Sequence, residues 1–258
     1  MTRQRPSVFC FAIAVAALPA VSLADTIYSD GTFNLSNYTN PFTYQNGPIS
    51  GVYFQCSSCG DPGQALSTTV TLTTATSASS NLDIGLLNSN FIYNPAVQGT
   101  VLSVNASVDS STSISLDVSE YNSFDPLIEQ DGSFYYAQLL SGPGNSGFVN
   151  LASTFSASSF VQFDPITGLT NSGSHPNFAG DPMDFGIMIS SGSIALPSFT
   201  QTLVYDNLSF DITAIPEPAS LLLVGAVLAG LAVLRRRERE WPGACREYRR
   251  SHWKTFTG

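Results

Sequence analysis

Between Asp25 and Ala214 the sequence contains no lysine and no arginine, although the same segment contains fifteen aspartates and glutamates. All ten basic residues lie at positions 3 and 5 or beyond position 234. At neutral pH this segment therefore carries a charge of about −15. Because proteins bind nucleic acid through cations that replace counterions on phosphates, nucleic acid is excluded as a partner of this segment. The same charge should keep it soluble and away from anionic membrane surfaces.

Carboxylates that lack cationic side-chain partners favour a divalent metal ion. Calcium fits best, because it prefers several oxygen ligands. The candidate ligands are Asp61, in a turn-forming segment, and Asp206, in the last alternating segment of the domain. A solvated acidic surface is the better interpretation for most of the other acidic residues.

Residues suited to catalysis are also scarce. His175 is the only histidine between residues 25 and 214, and no Gly-x-Ser-x-Gly motif accompanies it, which favours an exposed loop histidine over a Ser-His-Asp hydrolase. Glycosidases need two facing carboxylates. The acidic residues in 117–131 are the candidates, but the segment has the pattern of a loop after a strand. We expect a non-enzymatic protein, the alternative being a secreted hydrolase of polysaccharides that uses these acids.

Two cysteines, Cys56 and Cys59, lie close together in the acidic segment. They suit a structural disulfide, a redox pair or half of a zinc site. Zinc needs four ligands, and His175 is the only further soft ligand in the segment. A thioredoxin-like pair sits at a helix N-terminus, whereas Asp61-Pro62-Gly63 behind this pair favours a turn. We expect a disulfide that mainly makes one loop rigid, since so short a loop gives little stabilisation.

What the segment does contain is the pattern of an antiparallel β-sandwich. Alternating polar and apolar residues recur, and glycine- and proline-containing turn signals separate them. Amphipathic helices and internal repeats are missing from the pattern. The clearest alternating segments are 69–73, 101–108, 113–118 and 204–212, and the turn signals include Asn46-Gly47-Pro48, Asp61-Pro62-Gly63 and Asp131-Gly132.

The N-terminus has the pattern of a secretory signal peptide over residues 1–24. Arg3 and Arg5 precede an apolar stretch from Val8 to Leu18, and Ser22-Leu23-Ala24 places small residues where signal peptidase requires them. We predict cleavage between Ala24 and Asp25; a retained N-terminal anchor is the alternative.

The C-terminus contains a turn-forming acidic tripeptide, an apolar run and a basic cluster. Pro216, Glu217 and Pro218 precede the uncharged residues 219–234, and Arg235, Arg236 and Arg237 follow them. Sixteen residues in a helix would span about 24 Å, a little less than the ~30 Å hydrocarbon core of a bilayer. Snorkelling arginines and local thinning of the bilayer can absorb this difference. We predict a transmembrane helix over 219–234 with its arginines in the cytoplasm. A buried core helix is disfavoured by the three consecutive arginines.

This arrangement resembles the sorting signal of the PEP-CTERM class of exported bacterial proteins. In that family a membrane-bound, transpeptidase-like enzyme, exosortase, recognises the Pro-Glu-Pro, helix and arginine cluster. The resemblance covers residues 214–239 and implies export by signal peptidase and exosortase to the cell envelope, then to the surface or extracellular matrix. Residues 240–258 depart from the family, in which the chain normally ends soon after the arginines. They suit either a basic cytoplasmic tail or read-through of a stop.

Residues 25–213 also resemble, in several short pieces, a jelly-roll sandwich common among such proteins and similar to laminin B and carbohydrate-binding modules. The pieces are 59–66, 93–99, 177–186 and 205–208. The resemblance implies a two-sheet ectodomain with Asp206 on its last strand. The association of this class with exopolysaccharide makes contact with a carbohydrate matrix the expected function. Tyr121, Phe134, Tyr135 and Tyr136 are candidates for stacking on sugars, unless alternate ones belong to the core. A purely structural spacer is a third interpretation.

Overall fold

The computed structural model of the chain describes residues 24–73, 79–114, 121–139, 146–194, 198–215 and 230–231. Nearly all of the described segments with regular structure are strands, as the alternating pattern predicts. The strands are β1 (Ala24–Asp30), β2 (Tyr38–Asn46), β3 (Ile49–Gly60), β4 (Gly63–Leu72), β5 (Ser79–Tyr93), β6 (Thr100–Ile114), β7 (Tyr121–Gln130), β8 (Ser133–Tyr136), β9 (Ser146–Phe155), β10 (Val161–Phe163), β11 (Thr170–Asn171), β12 (Met183–Ile194) and β13 (Phe199–Ile215). A short helix, α1 (Pro95–Gln98), joins β5 to β6, and two 3₁₀ turns span Leu35–Asn37 and Ala157–Ser159.

The strands form two antiparallel sheets. Sheet A has the order β3-β4-β13-β6-β9, and β1 pairs with the second half of β13. Sheet B has the order β11-β10-β8-β7-β12-β5-β2. One hydrophobic core combines apolar residues of both sheets, for example Leu203 and Phe210 from sheet A with Leu86 and Phe185 from sheet B. This architecture confirms the prediction of an all-β antiparallel sandwich.

Strand β13 is central to sheet A and changes phase in its middle. Leu203 and Tyr205 are buried before the change, and Leu208 and Phe210 after it. Strict alternation would turn the second pair outward. A β-bulge lies between Asp206 and Ser209, in the pairing with β6, and the extra residue keeps both halves facing the core. Within the bulge, Asn207 has a φ of 52°.

The turns form where the sequence predicts them. Asp131 and Gly132 join β7 to β8, and both have positive φ, 51° and 72°. A two-residue type I′ hairpin requires this, and Asp-Gly sequences favour it. Gly63 has a φ of 101° in the turn between β3 and β4, where the Asp61–Pro62 peptide bond is cis.

The interpretation of 117–131 as a loop is wrong over its second part, because β7 occupies 121–130 and pairs with β12 and β8. Pro126 made a strand hard to recognise, since proline cannot donate to a ladder. Strand β8 ends at Tyr136, opposite Leu127. At Pro126 only the carbonyl is used, by the N–H of Ala137 at 3.1 Å.

Several predicted segments lie outside the described residues. These are the signal peptide before Ala24, most of the predicted transmembrane helix 219–234, the arginine cluster and the tail 240–258. Within the part of the chain that the structure describes, no helix has the length and apolar character needed to cross a membrane.

Candidate functional site

The outer face of sheet B carries a polar depression at the centre of the sheet. Ser190 on β12 lies opposite Asp83 on β5 and Ser123 on β7. Residues directly opposite in adjacent strands share a face, so these three side chains lie together. Asp125 lies two residues further along β7, on the same face. The depression has a volume of about 170 Å³ and is lined by Asn81, Asp83, Asp125, Tyr136, Phe163, Gly168, Thr170, Met188, Ser190, Ser191 and Gly192.

Asp125 is fully buried at one side of this depression. The Ser123 hydroxyl donates to Oδ2 at 2.8 Å, and the backbone N–H of Leu139 donates to Oδ1 at 3.0 Å. Ser190 donates a longer bond of 3.4 Å to Oδ2. The segment after β8 therefore covers Asp125 from the solvent side, although the residue belongs to an outer face.

Burial raises the pKa of Asp125 to about 7 and outweighs the hydrogen bonds, which lower it. The nearby carboxylate of Asp83 also raises it. Burial raises the pKa of Asp83 too, against a lowering effect of its hydrogen bond with Ser190. Two carboxyl groups with raised pKa in one depression often mark a functional site, although structural burial alone produces the same shift.

An aromatic cluster borders the polar depression on the same face. It consists of Phe42, Tyr44, Phe134, Tyr136 and Phe163, packed with the aliphatic side chains of Leu87, Leu127 and Met188. The ring centroid of Phe42 lies 4.9 Å from that of Phe134 and 5.2 Å from that of Phe163. Tyr44 and Tyr136 meet the edge of Phe163 at 6.3 and 6.1 Å. Phe42 and Phe163 are buried, whereas Tyr44, Phe134 and Tyr136 are partly exposed.

The loop between β10 and β11 forms a rim next to this cluster. Asp164 caps the loop by accepting hydrogen bonds from the N–H of Ile166 and the hydroxyl of Thr167. Gly168, with a φ of 70°, lies against the ring of Tyr44, where a Cβ atom would overlap the ring. The loop also holds Ile166 out in solvent, with 87% of its surface exposed.

The four aromatic residues proposed from the sequence separate on the two faces of sheet B. Phe134 and Tyr136 belong to the outer aromatic cluster, whereas Tyr135 packs against the inner core. Tyr121 begins β7, and its side chain lies outside the described part of the chain. Sequence reasoning missed Asp83, Ser190, Tyr44 and Phe163. In Asn81-Leu82-Asp83-Ile84 polar and apolar residues alternate, and this alternation could have placed Asp83 on the outer face of a strand.

The structure brings the two proposed calcium ligands, Asp61 and Asp206, together. Asp206 is fully buried, and its Oδ2 accepts a 2.7 Å hydrogen bond from the backbone N–H of Asp61. Oδ1 accepts from the N–H of Asn207 at 2.8 Å. Gly60 lies so close that a Cβ atom there would be 2.6 Å from Oδ2. Among the residues that the structure describes, no group of three or more histidine, cysteine or acidic side chains is arranged around a common point.

A polar network continues from this junction along sheet A. Asn207 donates to the carboxylate of Asp109 at 2.8 Å, and Asn150 donates to its other oxygen at 2.7 Å. The bulge therefore connects β13 to β6 and β9 through side chains as well as through the backbone. This network was not predictable from the sequence, because it depends on the order of the strands in the sheet.

The remaining residues proposed from the sequence, two cysteines, a histidine and a glutamate, make contacts within strands, turns and loops. Cys56 and Cys59 are paired as a disulfide within β3, with Cα atoms 5.7 Å apart. His175 is exposed in a loop, as expected, and its Nδ1 makes a 2.6 Å hydrogen bond with the carbonyl of Phe160. Glu129, one of the acids proposed for hydrolysis, accepts a hydrogen bond from the N–H of Gly132 in the β7–β8 turn.

The fold and this face define an all-β sandwich with a candidate ligand-binding surface on one sheet. Residues 214–237, directly at the end of β13, match the PEP-CTERM protein-sorting motif. The chain is therefore an exported protein sorted to the cell envelope, with exosortase as the enzyme that processes such a motif.

Solved structures similar to this chain include two xylanase modules. The CBM22-1 xylan-binding domain of Xyn10C from Paenibacillus barcinonensis is 12% identical, with a TM-score of 0.36, over 75% of this chain and 97% of that one. The CBM22-1–GH10 modules of xylanase 10B from Clostridium thermocellum are 8% identical, with a TM-score of 0.34, over 70% of this chain and 27% of that one. These similarities assign no ligand to this chain. No curated protein matches the sequence.

Proposed function

We propose that this protein is a non-catalytic component of the cell surface that binds carbohydrate of the extracellular matrix through the outer face of sheet B. The observation that carries the proposal is the aromatic cluster beside the polar depression. Sugar rings offer apolar C–H faces that pack on aromatic rings, and their hydroxyls need fixed hydrogen-bonding groups. The partly exposed rings of Tyr44 and Tyr136 supply the first, and Asp83 and Ser190 supply the second.

The PEP-CTERM motif supports this function by delivering the sandwich to the envelope, where matrix polysaccharide is available. Most of a small ligand site is apolar, with a few polar groups that fix orientation, and the outer face of sheet B has this composition. The open, shallow form of the depression suits a chain lying across the sheet.

Binding to purified exopolysaccharides and to a glycan array tests the proposal. Tyr136→Ala and Tyr44→Ala are each expected to weaken binding about fivefold, because a ring–ligand contact contributes about 1 kcal/mol. Leu102→Ala is the matched control, since Leu102 is an exposed apolar residue on β6 of sheet A, 44% exposed, and lies outside both the aromatic cluster and the polar depression. Equal affinities for all variants would contradict the site, and absence of binding to every glycan would favour a structural spacer.

Polysaccharide hydrolysis is a second candidate function, favoured by the presence of Asp83 and Asp125 in one depression. Burial raises the pKa of both groups, as acid catalysis at neutral pH requires. Against it, Asp125 has no exposed surface and is held by three hydrogen bonds. Release of reducing ends from a bound polysaccharide, lost in Asp83→Asn, would establish hydrolysis instead of binding alone.

A further inference from the structure

The outer face of sheet A, on the opposite side of the sandwich from the proposed glycan site, has a distinct composition near β3. The register places Val52, Thr69, Thr202 and Ser113 in one row across four strands. The next row contains Phe54, Ser67, Val204 and Ser111. The alternate residues, such as Val70 and Leu203, are buried in the core, so these rows face outward. We call this surface the neutral face.

The neutral face exposes two large apolar side chains at positions i and i+2 of one strand. Val52 is 63% exposed and Phe54 is 48% exposed. Hydroxyl-bearing and β-branched residues of β4 and β13 extend from them, which gives an apolar patch with a polar border. Contiguous patches of this kind mark interaction sites more often than isolated apolar residues do.

The charge distribution favours a second copy of this chain as the partner. Strands β3 and β4 contain no charged residue, and neither do residues 199–205 of β13 or 110–114 of β6. Elsewhere on the strands of sheet A, the acids are Asp25 and Asp30 on β1, Asp109 on β6, and Asp206 and Asp211 on β13. A second copy of the segment 25–214 also carries about −15 and no lysine or arginine. Like charges repel at acidic surfaces, so two copies can approach closely through the neutral face without this repulsion.

The edge of sheet A is open at the same place. Strand β3 pairs with β4, and no described strand pairs with its other edge. Edge strands are usually protected by charge, proline or bulges. Strand β2, the corresponding edge of sheet B, has Pro41 and a register shift between Thr39 and Phe42. Over Ile49–Gln55, β3 has neither a charge nor a proline, so its edge can meet the same edge of a second copy.

From these observations we propose that the neutral face is a self-association surface, which a second copy of this chain occupies in an isologous contact centred on Val52 and Phe54. In such a contact the same patch meets itself around a two-fold axis. Delivery of many copies to one envelope compartment raises their local concentration, so that a weak contact is sufficient. The contact leaves the outer face of sheet B free.

Sedimentation of the full chain in detergent tests this proposal. The wild type is expected to self-associate reversibly, and Val52→Glu is expected to weaken the association at least tenfold, since each partner brings a glutamate into an uncharged contact. Ile27→Glu is the matched control, because Ile27 is 67% exposed and lies on β1 of the same sheet, opposite Asp211. This variant should associate like the wild type.

A mixture separates a lost contact from a misfolded variant. Val52→Glu and Val52→Lys, each weak alone, are expected to associate with one another when mixed, because the two-fold axis places position 52 of one copy near position 52 of the other. Restored association supports the proposal. A wild type that is monomeric up to about 100 µM, an unchanged association of Val52→Glu, or no restoration in the mixture would overturn it.

Discussion

The backbone N–H of Asp61 donates a 2.7 Å hydrogen bond to the buried carboxylate of Asp206, across 145 positions of sequence. This bond attaches the β3–β4 turn to the bulge of β13. The carboxylate accepts a second bond from the N–H of Asn207. A buried acceptor left without its donor costs about 1–3 kcal/mol, so these two bonds keep the β3–β4 turn and the bulge together.

Calcium is expected to raise the melting temperature of the protein through this junction. An ion that binds only the folded state adds about 2.7 kcal/mol at a hundredfold excess over its Kd. For a domain of this size that corresponds to roughly 5–10 °C. The measurement is a thermal melt in millimolar calcium against sodium chloride of equal ionic strength, with reversal by chelator.

Two variants test the role of Asp206 in this effect. Asp206→Asn should abolish the calcium-specific shift, whereas Asp25→Asn, at an exposed position of β1, should retain it. If sodium and calcium shift the wild type equally, screening of the −15 charge explains the effect and no calcium site exists.

The stability of the protein should decrease as pH rises, because Asp125 loses its proton. Burial raises its pKa from 3.8 to about 7, so between these values the folded state binds more protons than the unfolded state. The free energy of unfolding therefore decreases as pH rises from about 4 to about 7. Asp125→Asn, which cannot ionise, should lack this decrease. The difference between the melting curves of the two proteins from pH 4 to pH 8 measures it.

A control variant separates the effect of Asp125 on the pH dependence of stability from the effect of general charge repulsion in the domain. Asp181→Asn, at an exposed position, should show the pH dependence of the wild type. Parallel curves for the wild type and Asp125→Asn would show that Asp125 does not titrate in this range.

Cys56 and Cys59 are expected to be oxidised in protein isolated from the envelope, because export places them in an oxidising compartment. The short loop limits the stabilisation to about 2 kcal/mol, so Cys59→Ser should lower the melting temperature by roughly 4–8 °C. Ser57→Ala in the same loop is the control. Complete labelling of both cysteines by a thiol reagent in the unreduced native protein would contradict the prediction.

Glu217→Ala should leave export intact but block C-terminal processing, because the recognition carboxylate of the sorting motif is lost while the apolar run is kept. Immunoblots of cell fractions should show the unprocessed size in the envelope. Glu240→Ala removes an acid just beyond the matched residues 214–237 and should be processed normally. A mature size and location unchanged by Glu217→Ala would refute the role of this residue.

Regular alternation predicted strands correctly where the structure describes the segment, whereas residues 115–118 lie outside the described residues. Residues 101–108 lie in β6, and residues 204–212 lie in β13. The pattern could not reveal β7, because Pro126 and the buried polar residues Ser123 and Asp125 resemble a loop in sequence. Asp125 accepts hydrogen bonds from Leu139, in the segment after β8, and from Ser190 on β12, and only the folded protein brings these donors to it.

The candidate glycan site could also be predicted only in part from the sequence. Alternation indicates that Asp83 and Ser190 point away from apolar neighbours, but it does not indicate that β5 and β12 are adjacent. That adjacency is set by the packing of both sheets around one core. The sorting motif was recognisable from sequence alone, because an enzyme reads it as a linear segment.

Strand β13 is the last strand of the sandwich and lies in the middle of sheet A, where it pairs with β1, β4 and β6. A secreted polypeptide crosses the membrane from its N-terminus, so five strands of this sheet emerge before the one that joins them. Until residue 215 has crossed, the β3–β4 pair and the β6–β9 pair lack the strand that joins them, and sheet A stays incomplete. The PEP-CTERM residues follow immediately. Translocation of the sorting signal thus coincides with the moment at which folding can finish, and shortening the chain within β13 should leave an aggregation-prone intermediate in the export pathway.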